Sequence, residues 1–105
     1  MLDKMKKIIV IVQRDDHISL LMLDLTNADI KKMRFPGRMN LLQLVCNEGA
    51  VKILEHLQKC FTGDEYAADR LQMVNHRDNH LGSSAIHFAA ACGRRKVLEI
   101  LTENF

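Results

Sequence analysis

The chain has 105 residues, 48% of them hydrophobic and 27% charged, with a net charge of +2. It is shorter than a typical domain of about 150 residues, so one small domain is expected, and the composition excludes a disordered or collagen-like chain. The longest aliphatic run, Ile8 to Val12, falls short of the roughly 20 residues of a membrane span and of a signal-peptide core of about 7–15, and so small a charge does not point to nucleic acid.

The first element is Ile8-Ile-Val-Ile-Val12. Five β-branched residues in a row favour a strand on propensity. A helix costs only about half a kcal/mol at each of them, which packing can override. Ile18 to Leu25 reads as a helix partner, with Asp16 at the turn between the two. Ala28-Asp29-Ile30 then leads into a basic stretch, Lys31-Lys-Met-Arg-Phe-Pro-Gly-Arg38, with four positive charges in eight residues.

Asn40-Leu-Leu-Gln-Leu-Val-Cys46 forms a second short helix that breaks at Gly49, and Val51 to Leu57 follows as its partner. Thr62-Gly-Asp-Glu65 has capping-box spacing, with a hydroxyl at the N-cap and a carboxylate three residues on. That spacing predicts an additional helix near 63–72. Ser84 is placed to cap Ala85–Ala91, a run of small residues suited to close helix packing. Gly93 can end that helix in the left-handed conformation. Val97, Leu98, Ile100 and Leu101 then make one apolar helix face.

These segments repeat. Alignment on the glycines places Leu42 opposite Ile86, Ile53 opposite Val97 and Leu57 opposite Leu101. The interval from Asp16 to Gly49 is 33 residues (49 − 16), and from Gly49 to Gly93 it is 44 (93 − 49). A register of 33 favours helix over strand at Ile8–Val12, because a strand there would leave only two repeats, fewer than such stacks need.

Ser84-Ala85-Ile86-His87-Phe88-Ala89 resembles the T-P-L-H-x-A motif of the ankyrin repeat, whose period is about 33 residues. Val74-Asn75, the Asp78 and Gly82 pair, and Ala28-Asp29-Ile30 resemble further parts of that repeat. The middle copy departs more, with Asn40-Leu-Leu-Gln43 at the motif, and the first keeps little beyond register. The resemblance implies an all-α ankyrin-repeat solenoid, a single domain over 1–105. Its three helix-turn-helix repeats would lie near 4–36, 37–75 and 76–105, joined by short hairpin loops. It also makes His87 and Ser84 fold residues.

Three cysteines, an odd number with no C-x-x-C pair, fit a reducing, intracellular compartment, cytoplasmic or nuclear. Cys46 and Cys92 fall in first-helix segments, where packing thiols are expected. His76, His80, His87 and Cys92 have spacings that raise zinc, but four ligands must converge and one is committed to the repeat motif. No cofactor and no catalytic motif of the G-x-S-x-G, H-E-x-x-H or Walker type is found. The expected function is therefore non-enzymatic.

By segment, residues 1–38 carry +3 (8 − 5), 39–75 carry −2 (3 − 5) and 76–105 carry +1 (4 − 3). Such segregation suits a protein partner with an acidic patch better than a nucleic acid. Met33 and Phe35 beside Arg34 are residue types that anchor interfaces. In the ankyrin family, hairpin tips and first helices form the partner-binding concave face. The resemblance therefore implies contacts through Lys31, Lys32, Met33, Arg34 and Phe35 in one loop and His76, Arg77, Asn79 and His80 in the other. Asn47, Glu48 and Ala91 are the matching helix positions. Arg94-Arg-Lys96 is a second basic cluster, at a helix start where cations oppose the dipole. The apolar end Val97–Phe105 has no polar capping repeat, so a longer array, a covering chain or self-association is also expected.

Overall fold

The computed structural model describes residues 2–103 and 105. Its regular elements are helices: α1 (Leu2–Gln13), α2 (His17–Met22), α3 (Asn27–Lys32), α4 (Leu41–Glu48), α5 (Val51–Cys60), α6 (Ala67–Asn75), α7 (Ala85–Ala91) and α8 (Arg95–Glu103). Two 3-10 turns, Pro36–Arg38 and Asp64–Tyr66, interrupt the connections. No strand occurs among the described residues. A single antiparallel bridge joins Phe35 to Met39.

The β-branched run is helical, which settles the choice left open at the N-terminus. Ile8, Ile11 and Val12 fall on one side of α1 and are buried, so packing of that face outweighs the strand propensity. The helices pair as α1 with α2, α4 with α5 and α7 with α8. The pairs stack in two layers, α1 on α4 on α7 and α2 on α5 on α8. The middle pair has neighbours on both sides. Leu41 to Cys46 are accordingly all buried, together with Ile53, Leu54 and Leu57 of α5.

Each pair closes on one left-handed residue: Asp15 (φ 51°), Gly49 (φ 70°) and Gly93 (φ 66°). The first corrects the expected register by one. Asp15 takes the place foreseen for Asp16, so the first interval is 34 (49 − 15). Asp16 instead caps α2, its carboxylate accepting from Ser19 N (3.2 Å) and Ser19 Oγ (2.5 Å). The second interval is the expected 44, shared by the starts of α4 and α7 and of α5 and α8. Equivalent positions need not be equally covered: Leu42 is fully buried, but Ile86, on the last pair, is 39% exposed.

The first long connection differs from the expected simple hairpin, because it contains a helix, α3. The predicted second helix, Ile18–Leu25, stops at Met22, and Asp24 turns with φ 53°. The Ala28-Asp29-Ile30 stretch belongs to α3, which is capped reciprocally: Thr26 Oγ1 accepts from Asp29 N, and Asp29 Oδ2 accepts from Thr26 N. The inserted helix is present but shifted, α6 running over Ala67–Asn75 rather than 63–72. The Thr62–Glu65 capping box does not form. Gly63 has φ 102° and no side chain caps the turn that follows. Arg70 Nη1 holds this corner, donating to Phe61 O and Gly63 O, while the Phe61 and Tyr66 rings meet edge to face at 5.7 Å.

Candidate functional site

The two loops that lead into α4 and α7 lie side by side. In the first, Phe35 N donates to Met39 O (2.8 Å) around the Pro36–Arg38 turn. In the second, Asp78 N donates to Ser83 O (3.0 Å), and the Asp78 carboxylate accepts from Ser83 N (2.6 Å). That bond is the main cause holding the Asp78 carboxyl below its ordinary value. Two contacts join the loops: Asn79 N donates to Gly37 O (2.7 Å), and His76 Nε2 donates to Arg38 O (2.8 Å).

Helix caps tie the loops to the stack. Asn40 and Gln43 cap α4 reciprocally, each side chain accepting from the other's backbone N–H at 2.8 Å. Gln43 Nε2 also donates to His76 O (2.9 Å) and Ser83 O (2.8 Å), and Asn40 Nδ2 donates to Met73 O (3.0 Å). Both side chains are buried, so these bonds offset a desolvation cost of roughly 1–3 kcal/mol for each polar group. At the matching position of α7, His87 Nδ1 accepts from Ser84 N (3.1 Å) and lies 2.8 Å from Ser84 Oγ. His87 is thus a capping residue of α7.

Around the first loop, Lys32, Met33, Arg34 and Phe35 line an open pocket of about 640 Å³ together with Lys4, Met5, Ile8, Leu25 and Asp29. Arg34 Nη1 donates to Lys31 O and Met33 O, both at 2.8 Å, which fixes its guanidinium over the loop. The Asp29 carboxyl is held below its ordinary value by the hydrogen bonds from Thr26. Phe35 is corrected from an exposed anchor to a core residue. It is only 3% exposed, because the bridge to Met39 turns the loop inward.

The remaining expected contacts divide into groups. Lys31 is half-buried and pairs with Asp69 of α6 at 3.0 Å. Arg77 is exposed and donates to Gly82 O within its own loop, and His80 is exposed beside it. Asn47, Glu48 and Ala91 lie at the opposite ends of α4 and α7, about 10 Å from the loops at 1.5 Å per residue. With Leu41 to Cys46 buried, α4 offers no exposed strip joining them to the loop surface. Near them Cys92 is exposed, not packed as expected, and its thiol donates to Asn47 Oδ1 at 3.2 Å. Among the described residues, no group of three or more His, Cys, Asp and Glu is arranged to hold a metal ion. No helix there is long and apolar enough to cross a membrane.

Sequence reasoning missed the contribution of α1 to this surface. Lys4, Met5 and Ile8 are far from the loop in sequence, and only the packing of α1 beside it brings them together. A scan against protein-family models, a search of curated proteins and a search of solved structures return no match to the chain.

Proposed function

We propose that the chain is an ankyrin-repeat module that recognises another protein, without catalysis, in a reducing intracellular compartment. The observation that carries this reading is the pair of matched caps 44 residues apart (84 − 40), Asn40 with Gln43 and Ser84 with His87. They stand at the start of stacked helices, and the first of them holds the neighbouring loop in place. A rigid stack that presents loops side by side is a recognition scaffold, since repeat stacks bind through such extended surfaces. The loop surface, with Lys32, Arg34, Arg77 and His80 exposed, is the contact region. Its positive charge matches an acidic patch on a partner.

The test is affinity capture from a cell extract, read by mass spectrometry. The intact chain is compared with a variant carrying Met33→Ala, Arg34→Ala, Arg77→Ala and His80→Ala. The expected result is a partner retained by the first and lost by the second at equal folded fraction. Identical capture sinks the loop-recognition reading.

A second reading, self-association through an end of the stack, is favoured by α2. Ile18, Leu21 and Met22 recur at i, i+3 and i+4, and are 61%, 51% and 80% exposed. On this reading, solution mass rises with concentration and Leu21→Glu with Met22→Glu restores the monomer. A constant monomer mass removes it.

A further inference from the structure

The two seams of the stack are filled differently. Between α4 and the loop leading into α7, Asn40 and Gln43 bridge the space to Met73, His76 and Ser83 carbonyls. The other seam lies between α1 and the loop leading into α4. Counting back the 34 residues that separate Asp15 from Gly49 places Lys6 and Ile9 opposite Asn40 and Gln43. Ile9 has no polar group, and no side-chain hydrogen bond from α1 to the first loop occurs among the described residues. The pocket of about 640 Å³ opens at this seam.

Its floor is apolar, made of Met5, Ile8, Leu25, Met33 and Phe35, and its rim carries Lys4, Lys32 and Arg34. The one carboxylate there, Asp29, is engaged with Thr26 in the α3 cap. Arg34 spends one guanidinium nitrogen on Lys31 O and Met33 O, which orients the group and leaves its other donors for a carboxylate. An apolar floor inside a cationic rim complements an amphipathic acidic ligand.

We propose that the pocket between α1, α3 and the first loop binds a short acidic segment of a partner protein. One or two large apolar side chains of the segment rest on the floor, and flanking carboxylates meet Lys4, Lys32 and Arg34. This rests on the protein-recognition reading and names the chemistry of the partner.

The probe is a fluorescein-labelled peptide, EEDFLEELEE, titrated with the full chain by anisotropy at low and at physiological salt. Two counterparts are titrated beside it, one with lysine at each acidic position and one with serine at each apolar position. Saturable binding of the first peptide alone, weakened by salt, is the expected result. Lys32→Glu with Arg34→Glu weakens it by roughly tenfold or more, since like charges meet across the rim. Met33→Glu weakens it similarly. Lys52→Glu with Lys59→Glu, exposed on α5 and away from the pocket, leaves it within about threefold, as general charge effects on exposed residues are small. Thermal melts confirm that each variant is folded.

Equal binding of all three peptides, or equal loss in the Lys52 and Lys59 variant, overturns the proposal. So does binding of phosphatidylserine vesicles with no binding of the peptide. If the acidic peptide fails while the alanine loop variant still loses a captured partner, the pocket proposal falls and the recognition reading stands. If neither shows an effect, both fall.

Discussion

Gln43 is the residue on which the loop geometry depends most. Its amide accepts from Asn40 N and donates to His76 O and Ser83 O, and it is fully buried. Gln43→Ala orphans Asn40 N and the His76 carbonyl, while Ser83 O keeps its bond from Asp78 N, so a loss of about 2–3 kcal/mol is expected in urea unfolding. The thiols follow burial. Cys46 is enclosed and its thiol is pushed up to about 12 by burial, whereas Cys92 is exposed. Iodoacetamide should modify Cys92 first and Cys46 only at the rate of unfolding, as mass spectrometry would show.

Acid sensitivity also belongs to single residues. Hydrogen bonds hold Asp16, Asp29 and Asp78 below their ordinary 3.8. A carboxyl lowered in the folded state adds stability that is complete above its unfolded value and fades as pH falls through the folded one. His56 is lowered from 6.5, mainly by burial, so the unfolded chain takes up that proton first and stability slips as pH falls below about 6.5. Urea midpoints should be level above pH 7, decline gently below about 6.5 and fall more steeply below about 4. His56→Gln should flatten the gentle part.

At the scale of elements, the short turns set the pairing. Gly93→Ala meets no atom within 4 Å but forces an alanine to φ 66°, whereas an alanine at Gly49 also comes within 2.8 Å of the Arg94 side chain. Both should lose more than about 1 kcal/mol, Gly49→Ala the more, and an Arg94→Ala background should remove the difference. Helices α4, α5, α7 and α8 were legible in the sequence because glycine breaks and apolar spacing both mark them. Helix α1 was legible only through register. Helix α3 was not, because Thr26 and Asp29 have capping spacing in a stretch that also reads as a loop. The α6 boundary was misplaced because the corner is fixed by Arg70 and the Phe61–Tyr66 ring contact, neither of which local spacing reveals.

For the molecule as a whole, the middle pair is covered on both sides and the outer pairs on one. Stability in such a stack is shared between neighbours. Hydrogen exchange should therefore be slowest in α4 and α5, with α1, α2, α7 and α8 opening at lower free energy. Uniform protection across all helices would contradict that gradient. The candidate site was half legible for a related reason. Local charge and Met33 marked the first loop, but the partnership of Lys4, Met5 and Ile8 with it exists only through stacking. Phe35 looked like an anchor because burial of a loop aromatic depends on a backbone bridge that residue type does not announce.

Helix α5 (Val51–Cys60) has Ala50 at its N-cap, whose methyl group cannot accept a hydrogen bond. The Asp15 carboxylate supplies that cap from the preceding turn, accepting from Lys52 N (3.1 Å) and Ile53 N (3.0 Å). Synthesis runs from the N-terminus, so Asp15 leaves the ribosome before the segment it caps. The first turn thus reaches solution already carrying the acceptor that α5 needs.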